Sequence, residues 1–489
     1  MLDQYRCDFA DFHSSCAREH YLFHSGQKSK LEIAPIYERY GHLFEQNTIE
    51  KLKNEFDVSA TVSAKRLLAA ATEQFLENSV KQLTESISDY EATAMVRWDG
   101  REMTFQDATV RITTEGDRET RRAVYRGRLA VIEASNYLRA ERLINLHATS
   151  RTLGYASYLR MFEHLRQLDY SSLANQASSF ITRTDPAYLM QVDEALRREL
   201  GLKLEESERF DAMYFLHLTQ FDERFPSTVM IDVYKETMAG LGIETDLQTN
   251  IAIDDEQRQR KNPRAFCMPI VVPDDVRLVI RPSGGQSDYQ SLLHESGHAQ
   301  HYGWSSGQLA PEFKYTGDYA LTETYAFLFN HLITDSNWLS SFLGFTDNNE
   351  FIKAAMLARL VSIRRYSAKL IYEEQLHRDD DLARSAVLYA KLQTSATGFR
   401  TEQAEFLFDL DDSFYAASYL RAWAFEVLLR EHLKTRFGAR WWASRMAGNL
   451  LKEMWETGDR YTADEMAAQI GIGPIEFDPL IEEFNRAVK

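Results

Sequence analysis

The segment Leu293-His294-Glu295-Ser296-Gly297-His298 carries two histidines four residues apart, with a glutamate directly after the first. On a helix, residues at that spacing share a face, so both imidazoles can meet one zinc ion at about 2.0–2.1 Å. Glu295 would flank the metal rather than ligate it. That is the position of a general base acting on water activated by the metal. The plain alternative is a helix that happens to carry two surface histidines. A catalytic zinc also needs a third protein ligand and one open position. Downstream, Asp318-Tyr-Ala-Leu-Thr-Glu323-Thr-Tyr-Ala-Phe-Leu-Phe sets Glu323 inside an apolar helical run. A buried carboxylate is costly without a partner, and a metal is such a partner. Equally, Glu323 reads as an acid in a first helical turn, favoured by the helix dipole.

Rigid elements must position these groups. Residues 288–301 and 319–334 have the helical period and would form two helices that carry the candidate ligands. Asp288 or Gln290, a turn or more before His294, could orient a ligand histidine. A third helix is predicted over 413–436, with Gly438 placed to end it. The stretches 133–149, 172–183, 186–199 and 362–376 repeat the period, so the first 250 residues read as mainly helical. One region differs. Residues 264–270 and 276–280 are short β-leaning runs, with Pro269, Pro273, Asp274 and Asp275 between or within them. They predict a small hairpin next to the histidine helix. Pro269 cannot donate to a ladder, so its strand belongs at an edge. An exposed edge can accept an extended peptide as an added strand.

The chain has 489 residues, with only 10 prolines and 22 glycines, which favours long helices. No linker or repeat divides it. We expect one continuous body, with a mainly helical N-terminal lobe over 1–250 and a catalytic lobe over 251–489. The net charge of -17 disfavours nucleic acid and anionic membranes as partners. Cys7, Cys16 and Cys267 cannot build a disulfide framework, which fits a reducing compartment. The start MLDQYRCDFADF lacks the pattern of a signal peptide, and no stretch is apolar enough to span a bilayer. Together these readings predict a cytoplasmic protein. Cys7, His13, Cys16 and His20 have loose metal-like spacing and read as ordinary helix residues.

The run His294-Glu-Ser-Gly-His-Ala-Gln-His301 resembles the H-E-x-G-H-x-x-H signature of the thimet oligopeptidase and oligoendopeptidase F family of zinc metallopeptidases. These are gluzincins, with a glutamate on a second helix as third ligand. The gap from His298 to Glu323 is the gap that family uses. Lys261-Asn-Pro-Arg-Ala-Phe-Cys267 is similar to the strand lining the family's substrate cleft. Leu153-Gly154-Tyr155, at the end of a predicted helix, and Tyr415-Ala-Ala-Ser-Tyr419-Leu-Arg-Ala-Trp423 are similar to further family segments. The likeness runs from about residue 130 to the end.

The resemblance implies an almost wholly α-helical fold in which two lobes enclose a deep channel. It implies one zinc per chain on His294, His298 and Glu323, with Glu295 as base and short peptides as substrates. Tyr419, then Tyr415, would stabilise the oxyanion. Ala265 and Phe266 would hold the substrate backbone, with His301 and Arg421 as further substrate-binding candidates. The chain departs from its relatives at Ala422, where another tyrosine is common, and before Tyr415, where Asp411 and Asp412 stand and no histidine does. Glu323 also lacks the aspartate four residues later that supports the ligand in some gluzincins. Two other readings remain open: a carboxypeptidase or dipeptidyl carboxypeptidase, and a non-enzymatic helical peptide-binding protein with structural zinc.

Overall fold

A computed structural model describes residues 2–379 and 381–487. Among these the protein is mainly α-helical, with two small sheets. The chain divides into two compact units, each gathered from three separate stretches. The first takes Met1–Glu85, Phe225–Phe345 and Phe425–Ile475; the second takes Ser86–Arg224, Thr346–Ala424 and Glu476–Lys489.

The first unit carries helix α1 (Leu2–His24), strands β3 (Ile251–Asp254), β4 (Phe266–Val271) and β5 (Asp275–Val279), and helices α4 (Gln286–Trp304) and α5 (Tyr319–Asn330). The expected hairpin is β4–β5, and β4 is an edge strand in the order β3-β5-β4. Strand β3, too short to stand out in the sequence, pairs parallel to β5. Pairing of Met268 with Arg277 sets the faces of the sheet. Arg277 and Phe266 face α1, where the Arg277 guanidinium lies 5.5 Å over the Tyr21 ring and Phe266 meets the edge of His24 at 6.0 Å. Cys267 has the opposite parity and faces α4. The loop entering β4 is pinned from inside. The buried Lys261 ammonium donates to Asp254 Oδ1 at 2.9 Å and to the carbonyls of Asp254 and Glu256 at 2.7 and 2.9 Å.

Helices α4 and α5 pack closely at Gly297. A Cβ there would lie 2.6 Å from both the Ala326 Cα and the Tyr325 carbonyl oxygen. Only glycine permits this approach, and it brings Glu323 over the two histidines. Asp318 caps α5 through the Ala320 amide at 3.2 Å. A 3₁₀ turn, His331–Thr334, ends the run predicted as one helix.

The second unit holds a hairpin, β1 (Met95–Trp98) and β2 (Arg101–Thr104), and helices α2 (Arg118–Thr152), α3 (Tyr170–Leu200) and α6 (Asn349–Asp379). Helix α7 (Tyr415–Phe437) begins here and ends before Gly438, at φ 89°. The two predicted stretches 172–183 and 186–199 are one helix, with Pro186 inside it. Proline should weaken α3 there. The buried Arg364 guanidinium packs against this stretch, donating to the Ile181 carbonyl at 2.7 Å and to Thr184 Oγ1 at 2.6 Å. Ahead of α7, Ser413 and Phe414 both have left-handed backbones, at φ 58° and 57°. Each such non-glycine residue costs roughly 1–2 kcal/mol.

Candidate active site

Helix α4 presents His294 and His298 on one face, with ring centroids 5.0 Å apart and nearly perpendicular. Glu323 reaches them from α5. Its Oε2 lies 3.3 Å from His294 Nε2 and its Oε1 lies 3.6 Å from His298 Nε2. One donor atom from each residue lies within 4.8 Å of the others. Among the described residues this is the group of three or more that could hold a metal. Cys7, His13, Cys16 and His20 form no such group. Two donors bonded tetrahedrally to one zinc at about 2.0–2.1 Å stand roughly 3.3 Å apart. The observed separations fit that requirement, and the two-histidine, one-carboxylate donor set suits zinc.

The orientation of His298 is fixed from behind. Its Nδ1 lies 2.8 Å from the hydroxyl of Thr322, so Nε2 is the nitrogen aimed at Glu323. Sequence reasoning missed Thr322 and expected Asp288 or Gln290 in such a role. Instead, Asp288 caps the preceding loop, accepting from the Ser283 and Gly284 amides at 2.6 and 2.8 Å. Gln290 lies 3.4 Å from Asn330. Thr322 directly precedes the candidate ligand Glu323 on the same helix, but its spacing alone does not mark it for this role.

Electrostatics follow from burial and facing charge. Burial would raise the Glu323 carboxyl, but His298 and His294 outweigh it and hold the group well below the carboxylate range. Burial would lower His298, and Glu323 outweighs it in turn. Glu295 is raised, first by burial and then by Glu323, against the pull of both histidines. Its Oε2 accepts the Cys267 amide at 2.8 Å, so strand β4 holds the carboxylate beside the candidate ligands.

The remaining candidates fall into distinct places. Ala265 precedes β4 and Phe266 opens it, two and one residues before Cys267, whose amide holds Glu295. His301 is fully buried, stacked on Tyr302 at 5.1 Å and edge-on to Tyr325 at 5.0 Å. Burial lowers it to about 3, leaving a neutral core imidazole. Its helical position points it inward, among Tyr302 and Tyr325. Tyr415, Tyr419 and Arg421 belong to the second unit. The two tyrosines are half-buried with rings 5.0 Å apart, Tyr366 meets Tyr419 at 5.0 Å, and Arg421 is buried.

No family profile and no curated protein matches the chain by sequence. Solved structures do match by shape. PZ peptidase A with an inhibitor superposes with a TM-score of 0.67 at 13% identity, over 96% of this chain and 85% of that one. A Bacillus anthracis protein assigned as an oligoendopeptidase F gives 0.63 at 12% identity, over 96% and 84%. The chain thus has the mainly α-helical fold of these peptidases. The fold agrees with the resemblance to the oligoendopeptidase F family carried by His294 to His301.

Proposed function

We propose that the chain is a zinc-dependent endopeptidase of short oligopeptides. The observation that carries this reading is the Glu323 carboxylate facing both Nε2 atoms while Glu295 is held alongside by the Cys267 amide. His294, His298 and Glu323 would hold the metal. Zinc, when bound, supplies Lewis acidity and lowers the pKa of water toward neutrality.

The chain's own residues then do the following. Glu295 keeps Oε2 on the strand and uses Oε1 to take a proton from the attacking water. It returns that proton to the leaving amine. Strand β4 orders the substrate backbone through residues around Ala265 and Phe266. The oxyanion donor would be Tyr419 first and Tyr415 second, with Arg421 a candidate for binding a substrate carboxylate. Among the described residues no helix is long and apolar enough to cross a membrane. With three free cysteines, we place the protein in the cytoplasm.

Incubating the zinc-loaded protein with a mixture of short peptides tests the reading by mass spectrometry. Internal cuts that vanish with chelator are expected, while casein and folded proteins should survive. Absence of any chelator-sensitive cut, or rapid digestion of casein, would count against it. Peptides with free and amidated C-termini should be cut alike.

A further inference from the structure

Ser413 and Phe414 are consecutive non-glycine residues in the left-handed region, directly before the first turn of α7. One such residue is uncommon, and a bulky one is a clear outlier. The surroundings hold both in place. Lys369 of α6 pairs with Asp411 at 2.7 Å, and Glu373, one turn on, accepts the Asp411 amide at 3.0 Å. Arg142 of α2 grips both oxygens of Asp412 at 2.8 and 2.9 Å. The Ser413 amide donates to the Tyr158 hydroxyl at 3.1 Å. Phe414 is buried, stacked on Tyr170 at 4.3 Å and edge-on to His377 at 4.9 Å. Every residue from Asp411 to Phe414 is therefore fixed by a partner on a neighbouring helix or segment of the same unit.

A connection that had only to join two helices would need none of these clamps. Strain of this kind persists only where the surroundings over-determine it, and it collects at sites where position matters. The left-handed well is also narrow, so two such residues in series set the direction in which the chain enters α7. Tyr415 follows at once. Its ring meets Tyr419, and Tyr419 meets Tyr366 of α6, so a displacement at Phe414 passes to both tyrosines.

We propose that residues 411–414 are a strained latch that fixes the start of α7, and that Ser413 and Phe414 are positioning residues for the Tyr415 and Tyr419 hydroxyls. This rests on the proposed role of those tyrosines in the reaction. Rigid seating of a hydroxyl matters because a misplacement of about 1 Å can cost a hundredfold in rate.

The test uses the full zinc-loaded chain. Ser413→Gly keeps the amide that Tyr158 accepts, relieves the strain and widens the allowed conformations. It should keep or raise Tm by about 1–3 °C. Amide exchange over residues 415–419 should quicken by about tenfold. kcat should fall by about tenfold with KM nearly unchanged. Ser413→Ala, still confined, should match wild type in all of these. Tyr419→Phe and Tyr415→Phe run in parallel, with Tyr419→Phe expected to lose about 10²–10³-fold in kcat. Unchanged exchange in Ser413→Gly overturns the latch. So does faster exchange with wild-type kcat while the tyrosine variants are impaired. Silent tyrosine variants with faster exchange uphold the latch and sink the tyrosine reading instead.

Discussion

The Cys267 amide donates a 2.8 Å hydrogen bond to Glu295 Oε2. Through this one contact the edge strand and the HExxH helix share a carboxylate. The bond restrains the side chain through Oε2, and Oε1 is the oxygen the proposed proton transfer would use. Because Glu295 is raised first by burial, it sits closer to the range in which a carboxylate accepts and releases protons.

Replacing Glu295 by glutamine therefore separates structure from chemistry. The carboxamide oxygen can still accept the Cys267 amide, so fold and metal content should persist. Peptide hydrolysis should drop by about 10³-fold or more, the scale of a lost acid–base group and its charge. Near-normal turnover in Glu295→Gln, with zinc retained, would remove Glu295 as the base.

The ligand set makes a separate claim about metal. Wild-type protein should carry close to one zinc per chain by elemental analysis. Alanine at His294, His298 or Glu323 should each lower occupancy sharply. Undiminished zinc in the His294→Ala/His298→Ala double variant would refute the site.

Gly297→Ala probes the helix contact that assembles it. The added Cβ would stand 2.6 Å from the Ala326 Cα and the Tyr325 carbonyl oxygen, and backbone cannot step aside as a flexible side chain can. The variant should lose about 1–3 kcal/mol in urea unfolding. It should also bind zinc more weakly, since α4 and α5 must part. Wild-type stability and zinc affinity together would show that the contact is slack.

Buried imidazoles predict an acid-side weakness. Burial lowers His13 and His147 to about 4 each, whereas the unfolded chain titrates them near 6.5. Between those values the unfolded state binds more protons than the folded one. Their contribution is thus complete above about pH 6.5 and is lost as pH falls toward 4. Urea midpoints of metal-free protein should decline from pH 7.5 to 5.0. A midpoint flat or rising over that span would contradict the sign.

Much of the ligand geometry was legible because the helical repeat acts locally: His294 and His298 must share a face wherever their helix lies. Pro269 likewise announced its edge, since a missing amide has no place inside a ladder. What lay hidden needed three dimensions. Nothing in the spacing of Thr322 says that its hydroxyl will stand behind His298. Pro186 read as a break because a proline removes an amide donor from the turn, yet α3 runs through it. The β1–β2 hairpin was a readable miss. Its turn, Asp99-Gly100, takes positive φ at both residues, as an Asp-Gly pair between strands should.

The outer rim of β4 bears on solubility. A free strand edge invites the same edge of another molecule, and such pairing leads to aggregates. The proposed seating of a substrate on β4 would carry this hazard. In the outward register of β4, Pro269 has no amide to offer and the Cys267 amide is already taken by Glu295. Another copy would find carbonyls there but hardly any donors, so a continuous ladder cannot grow.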